Sequence, residues 1–160
     1  MCGIAGGIGP SAPSVQSLEA QLTKLEHRGP DDRGTYVNQS IALGMCRLAI
    51  VEIAAGKQPF ESADGKIKIV FNGEIYNYRE LREKLVSLGH VFSGASESEV
   101  IIALYRQHGP DFPNHLIGMF AIALFDQAND ALVLVRDRVG KKPLWFSKCA
   151  DGSILFASEV

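Results

Sequence analysis

Residues 1–9, MCGIAGGIG, place a cysteine directly behind the initiator methionine and at the start of a glycine-rich strand. Removal of Met1 would leave Cys2 with both a thiol and a free α-amine. An α-amine has a pKa of roughly 7.7–8.0, so it can act as the base that activates the thiol. The glycines of this strand would let other backbone or a ligand come close. A cysteine at position 2 is more often incidental, so the nucleophile hypothesis depends on the rest of the chain.

Composition limits the classes of protein to which the chain can belong. Its 160 residues are 46% hydrophobic, which is enough for the core of one domain. The net charge of −2 gives no basic field for nucleic acid or for an anionic membrane surface. Because no apolar run reaches the length of a membrane span and no signal peptide is present, we expect a cytoplasmic protein.

The three cysteines, Cys2, Cys46 and Cys149, form neither an even disulfide set nor a CxxC pair. The histidines lie apart from them, so we expect no metal site. Cys46 and Cys149 are each expected to be structural residues rather than second nucleophiles.

Hydrophobic periodicity predicts the elements of the first half. Leu18, Leu22 and Leu25 recur at helical spacing behind Ser14 or Ser17 as a cap. Residues 34–37 and 41–45 predict a hairpin around residues 38–40. The apolar run 67–71 is typical of a strand that is buried on both faces, with Asn72-Gly73-Glu74 at its C-terminal end.

Two capping-box patterns mark the helices of the second half. The first pattern, Asn77 with Glu80, marks the start of a helix that ends near Gly89. The second, Ser96 with Glu99, marks the start of a helix that ends near Gly109. Four apolar runs then predict strands of a mostly antiparallel sheet, at 120–125, 132–135, 144–146 and 154–157. Two groups of strands, each covered by helices, indicate an α+β domain with packed sheets. Because the chain stops directly after a strand, we expect a longer protein.

Seven segments carry a family resemblance. They are MCGI (1–4), HRGPD (27–31), RLAIV (47–51), QP (58–59), NGEIYN (72–77), GMFA (118–121) and RDRVG (136–140). In this order they resemble the glutaminase domain of class II glutamine amidotransferases, in the asparagine synthetase branch. The resemblance covers residues 1–160. It implies an N-terminal-nucleophile hydrolase fold, a four-layer αββα sandwich with two stacked, mainly antiparallel sheets.

The resemblance assigns catalytic roles to three residues. Cys2 would attack the side-chain amide of L-glutamine and form a thioester, releasing ammonia. The Asn72 side-chain amide and the Gly73 backbone N–H would form the oxyanion hole. A glycine at 73 would let the substrate reach that N–H because no Cβ intervenes. The alternative is that Asn72-Gly73 forms an ordinary hairpin turn.

The resemblance also implies a set of substrate-binding residues. Arg47, followed by Leu48, Ala49, Ile50 and Val51, would bind the substrate α-carboxylate, for which a planar guanidinium suits a bidentate partner. Asn72, Gly73, Glu74 and Glu97 complete the set, with both glutamates near the α-ammonium. Arg28 and Asp31 are expected to shape the loop beneath the pocket.

Glu97 is the main departure from the family pattern, which usually carries Asp at this position. The extra methylene is expected either to push glutamine away from Cys2 or to fold back along the helix N-terminus. This departure keeps open a degenerate, non-catalytic domain that only binds its partner. An unrelated N-terminal-nucleophile amidase is a further alternative, although it would not need Arg47 and Glu97.

The resemblance finally implies a larger enzyme. Ammonia would feed a C-terminal ATP-dependent synthetase domain that is absent from this chain, with aspartate as the expected acceptor. An amino sugar or another carboxylate is the alternative acceptor. ATP and Mg are expected as cofactors of that missing domain, and none is expected here. The expected partners are L-glutamine and the synthetase domain; a homodimer is left open, and no nucleic acid or membrane partner is expected.

Overall fold

The structure is a computed structural model that describes residues 1–48 and 57–160. These residues form nine strands, three α-helices and two 3₁₀ segments. The strands are β1 (Gly3–Ile8), β2 (Asp32–Val37), β3 (Ile41–Arg47), β4 (Phe60–Glu61), β5 (Ile67–Ile75), β6 (Gly118–Asp126), β7 (Ala131–Arg136), β8 (Trp145–Lys148) and β9 (Ile154–Ala157). The helices are α1 (Val15–Leu25), α2 (Tyr78–Ser87) and α3 (Glu97–His108), and the 3₁₀ segments are Glu26–Arg28 and Gly109–His115.

Two antiparallel sheets are stacked between two layers of helix. The first sheet has the strand order β2-β3-β1-β9-β8, and the second has the order β4-β5-β6-β7. Helix α1 packs on the outer face of the first sheet, and α3, with α2 beside it, packs on the outer face of the second. The predicted four-layer αββα order is therefore confirmed.

Apolar clusters fill each of the spaces between these layers. The cluster between the sheets contains Ile4, Ile41, Leu43, Met45, Val70, Ala121, Ala123, Phe125 and Phe156. A second cluster joins β5 and β6 to α2 and α3, and a third joins α1 to β1 and β3. Residues 67–71 of β5 and 120–125 of β6 pack on both faces and are apolar except for Lys68, as the sequence predicted for residues 67–71.

Strand β5 is longer than predicted and changes the interpretation of Asn72-Gly73. The strand continues to Ile75, and its pairing with β6 runs without a break to Gly118. Asn72 and Gly73 thus lie inside a strand, which excludes the hairpin-turn alternative. The apolar run ended the prediction at Phe71 because polar side chains follow it, although the backbone pairing continues.

The predicted capping box forms only in part at α3, and no side-chain cap forms at α2. Ser96 caps α3 by accepting a hydrogen bond from the Ser98 N–H, but Glu99 instead accepts from Gly94 N–H and Ser93 Oγ. Asn77 makes no side-chain cap at α2. Its amide donates to the His115 carbonyl and accepts from the Ile117 N–H, so it links the start of α2 to the segment before β6.

Gly6 is where β1 is most tightly enclosed. A Cβ at this position would lie 2.1 Å from the Ala42 carbonyl oxygen and 2.8 Å from the Phe156 ring. Both distances are far below van der Waals contact, so a side chain would push β1 away from its neighbours β3 and β9. The close backbone approach that the glycine-rich sequence indicated is present here.

We expect Gly6→Ala to lower the free energy of unfolding by about 1–3 kcal/mol or more, because the central strand must shift to admit a methyl group. Gly94→Ala is the matched control, since a Cβ there would have its nearest neighbour at 3.7 Å. Urea denaturation of both variants measures the difference. Equal stability of the two variants would contradict the packing around Gly6.

Candidate active site

One cavity brings together all of the predicted site residues that the structure describes. It has a volume of about 520 Å³. Its lining includes Cys2, Arg47, Leu48, Asn72, Gly73, Glu74 and Glu97. The predicted residues Ala49, Ile50 and Val51 lie outside the described residues.

Strand alternation explains why these side chains meet. Ile4, Met45 and Val70 face one another in the cluster between the two sheets. Side chains two residues further along a strand point to the same face. Those residues are Cys2, Arg47 and Asn72. The site is therefore the end of the inter-sheet core, where polar side chains and a cavity replace apolar contacts.

Residues far away in sequence hold the backbone of the segment that begins with Cys2. The Arg28 Nε donates to the Cys2 carbonyl at 3.2 Å, and the Arg28 Nη1 donates to Glu159 at 2.7 Å. Hydrogen bonds from Arg28 and then from His27 lower the pKa of the Glu159 carboxyl, so the pair is charged. Ile4 N–H donates to Ser158 Oγ at 2.9 Å, and Ser158 N–H donates to the Ile4 carbonyl at 2.8 Å.

Asn72 presents an amide donor inside the site. Its side chain is 2% exposed, and its Nδ2 has no hydrogen-bond partner within the described residues. Leaving a buried donor without a partner costs about 1–3 kcal/mol. A negatively charged oxygen in the cavity would supply the missing acceptor.

Gly73 is required by the packing of β5 against β6. Its φ is 154°, and a Cβ there would lie 2.1 Å from the Met119 carbonyl oxygen on β6. The glycine therefore permits close pairing with the neighbouring strand, and its effect on the substrate path stays a prediction. Its position beside Asn72 still follows from the same strand.

Arg47 ends β3 at the cavity. The pairing of Gly3 with Cys46 in the antiparallel register brings Cys2 and Arg47 side by side on adjacent strands. The Asp31 N–H donates to the Arg47 carbonyl at 3.0 Å, so the loop of residues 29–31 supports the end of β3. Arg28 and Asp31 thus each touch the backbone of a predicted site residue.

The Glu97 carboxyl reaches across to β5 instead of folding back along the helix N-terminus, and its effect on the position of glutamine stays a prediction. Its Oε1 accepts a hydrogen bond from the Ile75 N–H at 2.7 Å, so the carboxyl crosses from the first turn of α3 to the end of β5. Burial raises the pKa of Glu97, and the nearby charge of Glu74 raises it further against the Ile75 hydrogen bond. A cation in the cavity would offset the cost of burying this carboxylate.

Several lining residues were not among the predicted site residues. Gln58 accepts from the Phe71 N–H at 2.6 Å, and Tyr78, Arg79, Met119 and Lys142 also line the cavity. Gln58 and Met119 lie in segments that carry the resemblance. Nothing in the periodicity of the sequence marks Lys142, because a loop positions it.

The other cysteines lie outside this cavity. Cys46 is buried beside α1, and its thiol donates to the Leu22 carbonyl at 3.1 Å. Burial raises the pKa of the Cys46 thiol. The residue is 1% exposed, as expected of a structural cysteine. Cys149 is half-buried in the turn between β8 and β9. Among the described residues, no group of three or more His, Cys, Asp or Glu is arranged to hold a metal ion.

Residues 1–160 match a family model described as a glutamine amidotransferase domain. The chain belongs to this family. An asparagine synthetase (glutamine-hydrolysing) of Bacillus subtilis is 39% identical over 165 residues, and one of Asparagus officinalis is 42% identical over 164 residues. Each alignment covers 100% of this chain. The predicted resemblance to the asparagine synthetase branch is confirmed.

The amidotransferase chain spans only part of these relatives, 22% of the Bacillus protein and 27% of the Asparagus protein. A solved glutamine phosphoribosylpyrophosphate amidotransferase from B. subtilis has a TM-score of 0.78 at 22% identity, over 98% of this chain and 42% of that one. This likeness shows the fold alone, and it agrees with the predicted sandwich of two stacked antiparallel sheets between helices. No helix in the described residues is long and apolar enough to cross a membrane.

The raised pKa of Glu97 predicts a pH-dependent stability. Folding favours the protonated Glu97 carboxyl, because its pKa is higher in the folded protein than the ordinary value of 4.5. The contribution of this carboxyl to the free energy of unfolding is therefore fully present below pH 4.5 and is lost as the pH rises through the folded pKa. Gln does not titrate. The free energy of unfolding of Glu97→Gln should therefore increase relative to the wild type as pH rises from 4.5 toward neutrality.

Chemical denaturation across this pH range measures the difference. Glu80→Gln is the matched control, because Glu80 occupies the first turn of α2 as Glu97 does that of α3. A difference between Glu97→Gln and the wild type that stays constant with pH would contradict the buried position of Glu97.

Proposed function

We propose that this domain hydrolyses L-glutamine to glutamate and ammonia, with Cys2 as the nucleophile. The observation that carries the proposal is the buried Asn72 amide, which has no described partner and lines the same cavity as Cys2. A donor of this kind is suited to an oxygen that becomes negative during reaction. The membership of the chain in the glutamine amidotransferase family supports the same reaction.

The proposed reaction uses one residue as both nucleophile and base. After Met1 is removed, the Cys2 amine takes the thiol proton, and the sulfur attacks the side-chain amide carbon of glutamine. The carbonyl electron pair moves to the oxygen, which Asn72 and Gly73 stabilise. Collapse of this intermediate breaks the C–N bond, and the amine returns the proton to the departing ammonia. Water then attacks the thioester and releases glutamate with the free thiol.

The head group of glutamine has complementary charges in the same cavity. Arg47 is proposed to bind the α-carboxylate, and Glu74 and Glu97 the α-ammonium. Glu74 is exposed at the cavity, whereas Glu97 is half-buried and has one oxygen on the Ile75 N–H. A substrate ammonium would therefore meet one solvated and one partly desolvated carboxylate. The second contact is the stronger because less water screens it.

The ammonia is proposed to serve a synthetase domain that is absent from this chain. The curated relatives are named as glutamine-hydrolysing asparagine synthetases, and the chain spans about a quarter of their length. We therefore propose aspartate as the acceptor and place ATP and Mg in the absent domain. The cytoplasmic location, and the alternative acceptors, stay predictions from the sequence.

Cys2→Ala should abolish glutamine hydrolysis and leave the thermal unfolding temperature nearly unchanged, because the change removes the nucleophile and little core volume. Ammonia release from glutamine, asparagine and simple amides is the measurement. Cys149→Ala is the matched control, since it removes a half-buried thiol outside the cavity. Intact mass must show that the active wild type lacks Met1.

The outcomes separate the alternatives. Wild-type hydrolysis restricted to glutamine supports the proposal, whereas hydrolysis of all amides indicates a general amidase. A folded wild type that hydrolyses none of them indicates a partner-binding domain. Glutamine hydrolysis by Cys2→Ala, or by protein that retains Met1, would refute the mechanism.

Asn72→Ala should lower kcat by about 10²–10³, with a smaller effect on KM, because the lost donor acts mainly on the charged intermediate. Asn114→Ala is the matched control, since Asn114 is an exposed amide that does not line the cavity. Steady-state kinetics on both variants measure the effect. A change confined to KM would assign Asn72 to substrate binding alone.

A further inference from the structure

Lys142 is a buried ammonium in the site that the proposed mechanism does not use. The residue is 7% exposed and lines the cavity with Cys2. Its Nζ donates to the sulfur of Met1 at 3.3 Å, and no other acceptor for this ammonium is present among the described residues. A thioether is a weak acceptor, so a buried charge is poorly compensated here.

The loop before Lys142 is built to hold it in place. The Asp137 carboxylate accepts from the N–H groups of Phe120 at 3.2 Å, Lys141 at 2.8 Å and Lys142 at 2.9 Å. Arg136 Nε donates to the Lys142 carbonyl at 3.1 Å. Phe120 is the residue of β6 that pairs with Gly73. These bonds fix the Lys142 backbone relative to the proposed oxyanion hole.

Maturation changes what this ammonium faces. Met1 precedes Cys2 in the chain, and the Met1 sulfur accepts the hydrogen bond from Lys142 Nζ. When Met1 is removed, Lys142 loses that sulfur, and the cavity gains the space that the Met1 side chain occupied. Cys2, Met45 and Met119 are the sulfur-containing residues that remain in the cavity lining. A Cys2 thiolate is a far better acceptor than either thioether.

We propose that, once Met1 is removed, the Lys142 ammonium pairs with the Cys2 sulfur and holds it as the thiolate that attacks the substrate. The proposal rests on the proposed role of Cys2 as the nucleophile. The thiol proton moves to the Cys2 amine, and Lys142 keeps its own proton throughout. A neighbouring lysine is one of the groups that favour the thiolate form of cysteine.

Other charges around Cys2 have different partners. The remaining charged groups that line the cavity in the described chain are Arg47, Glu74, Arg79 and Glu97, and Arg28 reaches the Cys2 carbonyl. Arg28 is paired with Glu159, and Arg79 donates to Tyr78 Oη. Arg47 is proposed for the substrate carboxylate. Glu74 and Glu97 are negative and would oppose a thiolate. Lys142 is therefore the side-chain cation left for the sulfur, in addition to the Cys2 amine that takes the thiol proton.

The test measures alkylation of Cys2 by iodoacetamide as a function of pH, on protein whose intact mass shows that Met1 is absent. Peptide mapping follows each cysteine separately, and Cys149 is the internal reference in every sample. The variants are Lys142→Met, Lys142→Gln and Lys142→Arg, with Lys141→Met as the matched control. Lys141 is exposed, and its side chain does not line the cavity.

Both neutral variants should slow Cys2 alkylation about tenfold at neutral pH and converge with the wild type at alkaline pH, where the thiol ionises without help. Lys142→Arg should retain most of the wild-type rate, and Lys141→Met all of it. Thermal unfolding identifies any variant that fails to fold, and the other neutral variant then carries the comparison.

Two results would overturn the inference. The first is a rate of Cys2 alkylation in the neutral variants that follows the wild-type pH curve. The second is alkylation slowed by the same factor at every pH, which indicates altered access of iodoacetamide to Cys2. Because alkylation needs no glutamine, the result is independent of the glutaminase assay. An inactive wild type with the expected alkylation curves would refute the proposed function and leave the Lys142–Cys2 pair intact.

Discussion

The stacking of the two sheets is the constraint on which the site depends. The side chains of β1, β3 and β5 that face one another form the inter-sheet core, and the next residues on the same faces are Cys2, Arg47 and Asn72. A slip of one residue in any of these strands would turn its site residue to the opposite face. The apolar contacts of the core therefore set the geometry of the polar site, and a separate scaffold for the site is unnecessary.

A nucleophile at a chain terminus needs additional restraint, because terminal residues are usually poorly ordered. Here the restraint comes from segments far away in sequence. Two hydrogen bonds join Ser158 to the Ile4 backbone, one through the Ser158 hydroxyl and one through its N–H. The Arg28 side chain connects the Cys2 carbonyl to Glu159. The charged pair is accessible to solvent on the Glu159 side, so its own contribution to stability is modest. Its importance lies in fixing where the Cys2 backbone points.

Periodicity and apolar runs were sufficient to predict the order of most elements, because burial on one or both faces determines those patterns. They were insufficient where a polar side chain acts at a distance. Asn77 bonds to residues 115–117 and Glu99 to Gly94, so local capping rules identified the helix starts but assigned these side chains to the wrong partners. The positions of the proposed site residues came from the family resemblance. Lys142 was not among the predicted site residues, because only the folded loop brings it to Met1.

Glu97 shows how one methylene can change a site without enlarging it. A glutamate in the first turn of α3 is long enough to reach the Ile75 N–H on β5, and this bond holds the carboxyl beside the cavity. An aspartate is shorter by one methylene, so from the same backbone position it would reach less far toward β5. The Glu97 side chain is thus held by the end of β5. Burial raises the pKa of Glu97, and an approaching ammonium would favour its charged form. The substrate and the Ile75 N–H can share one carboxylate, since each of its two oxygens accepts hydrogen bonds.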